Sequence, residues 1–317
     1  MAGYAANTTV DFGDVVAKKV RITANSNWGV GPIFSRYGLS EVQFMYIPLA
    51  ARFPSPESGA TDVAVDTTLS WIAGREAAAH KVYLSTDQQA VTNGTVSAVT
   101  VLQPSCSPPS LSLGTTYFWR VDEVNDNKTP AVWPGNVWTF TTADRVVVDD
   151  FEAYDDQCNR VYYAWKSGAP NGANADCGVS AYNGNGTGSV VGRNDPPYCE
   201  HTIIHTGRQS MPLTYNGLSE ATRTFDAAQD WTRGGIKTLV VFFQGVSTNS
   251  PADLYVKIND TKVSYNGNAS DLAATEWKQW NIDLPSGAGL QSVKTLTIGV
   301  SAGQGIVYID DIGLKAQ

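Results

Sequence analysis

Short runs of alternating apolar residues, each ended by Gly, Asn, Pro or Ser, govern what this chain can fold into. TTLSWIA, AHKVYLSTD, NVWTFTT, TLVVFFQG, ADLYVKIND, WKQWNIDL and TLTIGV place apolar side chains at every second position or in brief continuous runs. Successive side chains of a strand point to opposite faces, so such runs mark strands with at least one buried face. Few stretches keep a helical period for long. The residue mix agrees: 29 Gly, 14 Tyr and 9 Trp with only 16% charged residues suit many strands joined by polar turns. At 317 residues the chain exceeds what one core normally holds. The predicted fold class is all-β, with β-sandwich modules in tandem ending in a jelly roll.

The formal charge of -8 argues against nucleic acid as a partner, because no basic stripe exists to release counterions from a phosphate backbone. The longest uncharged apolar run, 238 to 243, falls well short of the roughly 20 residues that span a bilayer, so no membrane insertion is expected. MAGYAANTTVDFGD has neither a basic n-region nor an apolar h-region. A secreted or cell-surface location, suggested by Asn-x-Ser/Thr triplets at Asn7, Asn93, Asn185 and Asn268, therefore implies a removed signal or a larger parent polypeptide.

Four cysteines allow three connectivities, and their spacing fits no zinc signature. Cys158 and Cys177 flank a single loop-rich segment, and a bridge between them would close a loop worth about 3 kcal/mol in the chain-entropy model. Cys106 and Cys199 would have to bridge two domains, or stay free.

Three segments follow one another. In residues 1–51, KKVRITANSNWG and YGLSEVQFMYIPL resemble the last strands of a discoidin-like (coagulation factor type C) domain. Only a part of such a domain is present, so its binding function is not carried over. Residues 52–145 open on the Pro-rich junction ARFPSPESG and resemble a fibronectin type III or immunoglobulin-like module. Trp71 and the stretch Tyr117 to Arg120 stand where that fold puts its core Trp and its tyrosine-bearing strand. Trp71, Tyr83, Trp119 and Trp138 are read as packing. Residues 146–317 run from VVVDDFEAY to GIVYIDDIGL, with strands expected at HTIIHTG, QSMPLTY, ATRTFDA and the later runs.

Asp149, Asp150 and Glu152 lie at one end of this third segment and Asp310 and Asp311 at the other. Terminal strands of a sandwich commonly meet, so the carboxylates are expected to face one another, with protons or a cation relieving the repulsion. Hard oxygen ligands favour Ca²⁺. The ordered set DDFEAY, YYAWKSG, QSMPLTY, LYVKIND, WKQWNIDL and YIDDIGL resembles jelly-roll carbohydrate-binding modules, in layout those of family 11. The resemblance implies polysaccharide binding and a structural calcium held by Glu152 and Asp311, with Asp150 as a further ligand.

Sugar recognition needs aromatic faces and a few placed polar groups. In LYVKIND the residues Leu254, Val256 and Ile258 alternate inward, leaving Tyr255 and Lys257 on the outer face; Arg223 lies opposite Thr222 and Thr224. Tyr163 and Trp165 sit on the loop that Cys158 would anchor, and His205 and Tyr215 lie in HTGRQSMPLTY. These seven are the expected ligand-binding residues, while Trp280 reads as core. A hydrolase or lyase would need a paired set from Glu200, Glu220, Asp226 and Asp230, and no spacing singles one out. The expected function is non-catalytic binding of a polysaccharide or cell-surface glycan. The alternative is a structural or adhesive surface protein that forms homo-oligomers through incomplete sandwich strands.

Overall fold

The computed structural model describes residues 10–12, 19–23, 42, 48–109 and 111–316. The chain divides into two compact units, Met1–Ile47 and Pro48–Gln317. The discoidin-like strands expected in 1–51 fall almost wholly outside the described residues. The larger unit is all-β and built from four sheets. No helix among the described residues is long and apolar enough to cross a membrane.

Residues 52–142 supply nine strands: β1 (Arg52–Ser55), β2 (Ala60–Val63), β3 (Leu69–Ile72), β4 (Ala79–Ser85), β5 (Val99–Val101), β6 (Ser105–Cys106), β7 (Thr116–Val124), β8 (Val132–Trp133) and β9 (Val137–Thr142). One sheet is ordered β1-β3-β6 and the other β2-β9-β7-β4-β5, with β8 on β7. Trp119 is fully buried between Trp71 and Trp138, with ring centroids 6.3 and 4.8 Å away. Tyr83 is only half buried and lies under the Arg120 guanidinium at 4.7 Å. The Tyr117 hydroxyl accepts the amide of Ser112 at 2.9 Å, fastening the start of β7 to the segment before it. Only Ala143 and Asp144 separate β9 from the next strand. Leu113 and Val65 pack into the C-terminal core, and the Leu113 amide donates to the Gly234 carbonyl at 3.0 Å.

The C-terminal sandwich contains β10 (Arg145–Asp149), β11 (Trp165–Lys166), β12 (Val190–Val191), β13 (Met211–Asn216), β14 (Ser219–Gln229), β15 (Ile236–Gln244), β16 (Leu254–Ile258), β17 (Thr261–Ser264), β18 (Lys278–Asp283), β19 (Val293–Val300) and β20 (Gln304–Ala316). A six-stranded sheet runs β12-β13-β20-β15-β18 with β10 also on β20, and a five-stranded sheet runs β11-β14-β19-β16-β17. Their inner faces interdigitate as a jelly-roll core. Alternation sets which side chains enter it: Trp280 and Ile282 from β18, Leu254, Val256 and Ile258 from β16, Leu296, Ile298 and Val300 from β19.

β20 is the axis of the fold, and its partner on one side changes partway along. β13 pairs with Gln304 to Ile309 and β10 with Ile312 to Lys315. Asp310 and Asp311 fall in the gap between them. On the other side the register against β15 shifts between Val240↔Gly313 and Phe242↔Asp310, which gives β20 one extra residue. That bulge sits at Asp311, whose φ is +46°, a conformation that Asp tolerates better than most side chains. The expected strand at HTIIHTG does not form. Residues 201–209 are a loop closed at its base by pairing between Glu200 and Ser210, and its amides go to carboxylates instead of a ladder.

Candidate functional site

Two polar clusters lie on the side of the C-terminal sandwich that carries β10, β11 and β12. The first is the carboxylate seam where β10 and β20 meet. Asp149 is buried, and its Oδ2 accepts from the Tyr154 hydroxyl (2.7 Å), Trp165 Nε1 (2.8 Å) and the Arg223 guanidinium, while Oδ1 accepts the Phe151 amide. Asp310 is fully buried; the amides of His205 and Asp311 donate to it at 2.9 Å each. Burial nevertheless lifts its carboxyl to about 6, with Asp311 adding to the rise and the amides opposing it. Asp311 accepts from the Thr206 hydroxyl at 2.6 Å and lies 2.6 Å from His205 Nδ1. The His205 ring stacks on Phe242 at 3.8 Å, and Trp277 Nε1 donates to the Ile204 carbonyl.

Glu152 straps the same loop. Its Oε1 accepts the amides of Arg208 and Gln209 at 2.8 and 3.1 Å, and its Oε2 accepts Arg208 Nε at 3.1 Å. Burial acts to raise the Glu152 carboxyl, but these donors outweigh it and hold the group below its ordinary value. Gly207 has φ +72°, and a Cβ there would fall 2.4 Å from Glu152 Oε1, so only glycine lets the loop approach this closely.

The calcium clasp expected of Asp150, Glu152 and Asp311 is therefore not assembled as one oxygen cradle. Asp150 caps the Glu152 amide, Glu152 faces Arg208, and Asp311 faces His205, Thr206 and Arg145. A calcium ion needs six to eight oxygens around one point, and here each of these carboxylates already accepts from N–H or O–H groups of its own. Among the described residues, no three His, Cys, Asp or Glu side chains gather as a metal site.

The second cluster is a cleft of about 680 Å³ at the edge where β11 ends one sheet and β12 ends the other. The segment joining these strands folds back as a hairpin, with Asn171 paired to Tyr182 and Asn174 to Val179. A disulfide from Cys158 to Cys177 ties that hairpin to the turn before the short helix Val161–Ala164. Tyr162, Tyr163 and Tyr198 line the cleft together with Arg160, Asn171 and Asn174. Tyr162 meets Tyr163 and Tyr198 edge-on, with centroids 4.8 and 5.2 Å apart. Arg160 Nη1 donates to the Tyr162 hydroxyl at 2.8 Å and the Tyr163 hydroxyl at 3.4 Å, and the guanidinium lies 4.7 Å over the Tyr198 ring. Lys166 reaches over Tyr163 and Tyr182 at 5.8 and 5.0 Å.

Of the seven expected ligand-binding residues, only Tyr163 lines this cleft. Trp165, two residues on, is fully buried because β11 turns it into the core and Asp149 takes its N–H. Tyr215 is 1% exposed and donates to the Ser250 carbonyl. Arg223 points inward to Asp149, where the expectation had it on the surface. Tyr255 does face outward but is 1% exposed: it lies on Gly299, where a Cβ would come 2.3 Å from the ring, and Lys262 Nζ covers it at 3.8 Å. Glu220 accepts from both Tyr255 and Lys257 at 2.5 Å, so Lys257 is paired too. His205 belongs to the seam.

Three of the four acids considered for catalysis are tied to partners of their own. Glu200 holds Thr202, Glu220 holds Tyr255 and Lys257, and Asp230 holds Thr232 and Arg233. Cys106 and Cys199 are free thiols. Arg160, Tyr198 and the asparagines were not foreseen as lining residues. Arg160 and Tyr162 at i and i+2 beside Cys158 were the available signal, whereas Tyr198 joins them only through the fold.

No family model and no curated protein matches the chain. Among solved structures it is similar to carbohydrate-binding modules from the β-sandwich superfamily, at 15% identity over 85% of this chain and 98% of that one, with a TM-score of 0.32. It is also similar to the family 11 carbohydrate-binding module from Clostridium thermocellum in complex with a β-1,3-1,4-mixed-linked tetrasaccharide, at 14% identity over 54% and 95% of the two chains and a TM-score of 0.33. A third is the CBM22-1 xylan-binding domain from Paenibacillus barcinonensis Xyn10C, at 14% identity over 54% and 94%, with a TM-score of 0.32. No residue's role is transferred from them.

Proposed function

We propose that the C-terminal sandwich is a non-catalytic polysaccharide-binding module of a secreted or cell-surface protein, with its ligand in the tyrosine-lined cleft. The observation that carries this reading is the meeting of three tyrosines, Arg160 and the Asn171 and Asn174 amides in one open cleft. A sugar ring offers C–H faces that pack on aromatic rings and hydroxyls that exchange hydrogen bonds with amides and phenols. The surrounding hairpin is pinned by a disulfide, which lowers the ordering cost of binding and supports an oxidising compartment.

Affinity electrophoresis against a panel of soluble polysaccharides tests the reading. At least one glycan is expected to retard the protein, and Tyr163→Ala to remove most of that retardation. Free migration of the folded protein through every glycan would overturn it.

A further inference from the structure

We infer that the cleft takes an anionic polysaccharide, one bearing uronate carboxylates or sulfate esters, with Arg160 as its main anion contact and Lys166 at its rim. This rests on the carbohydrate-binding reading and adds the charge class of the ligand. The basis is a contrast in pairing within the same sandwich. The other arginines of the sandwich, Arg145, Arg193, Arg208, Arg223 and Arg233, each have a carboxylate within salt-bridge distance. Arg160 alone has none among the described residues; Lys166, like several other lysines of the sandwich, has none either. Arg160 gives Nη1 to the two tyrosine hydroxyls and Nε to the Asp156 carbonyl at 3.2 Å, and its Nη2 donates to no acceptor there. Three aromatic rings hold the guanidinium in place, so its free N–H groups are pre-aimed. Burial, opposed by Tyr163, pulls the Lys166 ammonium below its ordinary value, a penalty that an arriving anion would relieve.

The chain's charge of -8 does not forbid this. At physiological salt, fields are screened within about 8 Å, so the charges at the cleft decide what enters. Asp176 is the one carboxylate among the lining residues, and it is exposed. A neutral glycan would need the tyrosines and asparagines but no unpaired guanidinium.

The test measures retention of the whole chain on polygalacturonate, on its carboxyl-reduced form, and on sulfated and unsulfated agarose-type galactans. Retention at least tenfold stronger on an acidic member than on its neutral partner is expected; the pair that responds tells carboxylate from sulfate. Arg160→Gln and Lys166→Gln should each weaken it several-fold, and Asp176→Asn, which cannot disturb the arginine's own contacts, should strengthen it. Equal retention on acidic and neutral partners overturns this inference and leaves the carbohydrate reading standing. Retention by no glycan overturns both. Retention on every polyanion alike, unchanged by Tyr163→Ala, shows bulk charge attraction and also overturns it.

Discussion

The carboxylate seam and the tyrosine cleft lie on the same side of one sandwich, and they differ in how completely their polar groups are matched. In the seam, Asp149, Glu152, Asp310 and Asp311 together accept from Tyr154, Trp165, Arg223, Arg208, Gln209, His205 and Thr206. At the cleft, Arg160 Nη2 and, beside it, the Lys166 ammonium keep donors that no acceptor among the described residues meets. A buried charge left unmatched costs several kcal/mol, so the interior cluster had to close on itself. Groups at an open edge are hydrated in the free protein and can exchange water for a ligand. Matching marks the groups that hold the fold, and its absence marks those available to a partner.

The sharpest way to break this contrast is to compare Trp165 with Tyr163, two residues apart. Trp165→Ala should cost about 3 to 5 kcal/mol, since it empties a fully buried site and strips a donor from Asp149. Tyr163→Ala should cost less, about 1 kcal/mol, because the ring is only half-buried and its contacts are with Tyr162 and Arg160 at the edge of the sandwich. Equal losses in urea denaturation would contradict the assignment. Asp149→Ala comes next, at about 3 kcal/mol, the low end for a broken buried pair because Arg223 keeps some solvent contact. Asp149→Asn, which keeps an acceptor, should cost less; if it costs more, charge and not hydrogen bonding dominates the seam.

A smaller effect is expected from pH. The folded Asp310 carboxyl lies near 6, above its ordinary 3.8, so its contribution is full below about 3.8 and is lost as pH rises through about 6. Glu152 is depressed, so its contribution is present above its ordinary 4.5 and is lost as pH falls through its lower folded value. Opposed slopes predict a stability maximum on the acid side of neutrality, read from denaturant midpoints between pH 4 and 8. A steady rise up to pH 8 would remove Asp310 from the account. The smallest expected effect is that of a chelator: with the seam carboxylates already matched, EDTA should leave the melting temperature unchanged. A fall of several degrees that calcium restores would show that an ion competes with those donors.

Much of the fold was legible because period-two alternation is local. β16 and β18 turn the expected residues inward, and β10 and β20, the two acidic ends, do lie side by side. What failed depended on neighbours that the sequence does not display. HTIIHTG has the β-branched residues of a strand, yet its His205 and Thr206 amides are claimed by Asp310, which arrives from elsewhere in the chain. Tyr255 has the outward phase of an exposed residue but is roofed by Lys262 from the next strand. The acidic ends read as a metal site because their carboxylates were visible in sequence, whereas the His205, Thr206 and Arg208 donors that occupy them could be placed only by the fold. The cleft draws on residues 160 to 198, so a single member, Tyr163, could be anticipated.

The most direct test measures glycan retention and melting temperature on the same two variants. The account predicts that Arg160→Gln together with Tyr163→Ala abolishes retention while lowering the melting temperature by only a few degrees, and that Asp149→Asn lowers the melting temperature further while the folded protein keeps its retention. Loss of retention in Asp149→Asn with the cleft double variant still binding would contradict it.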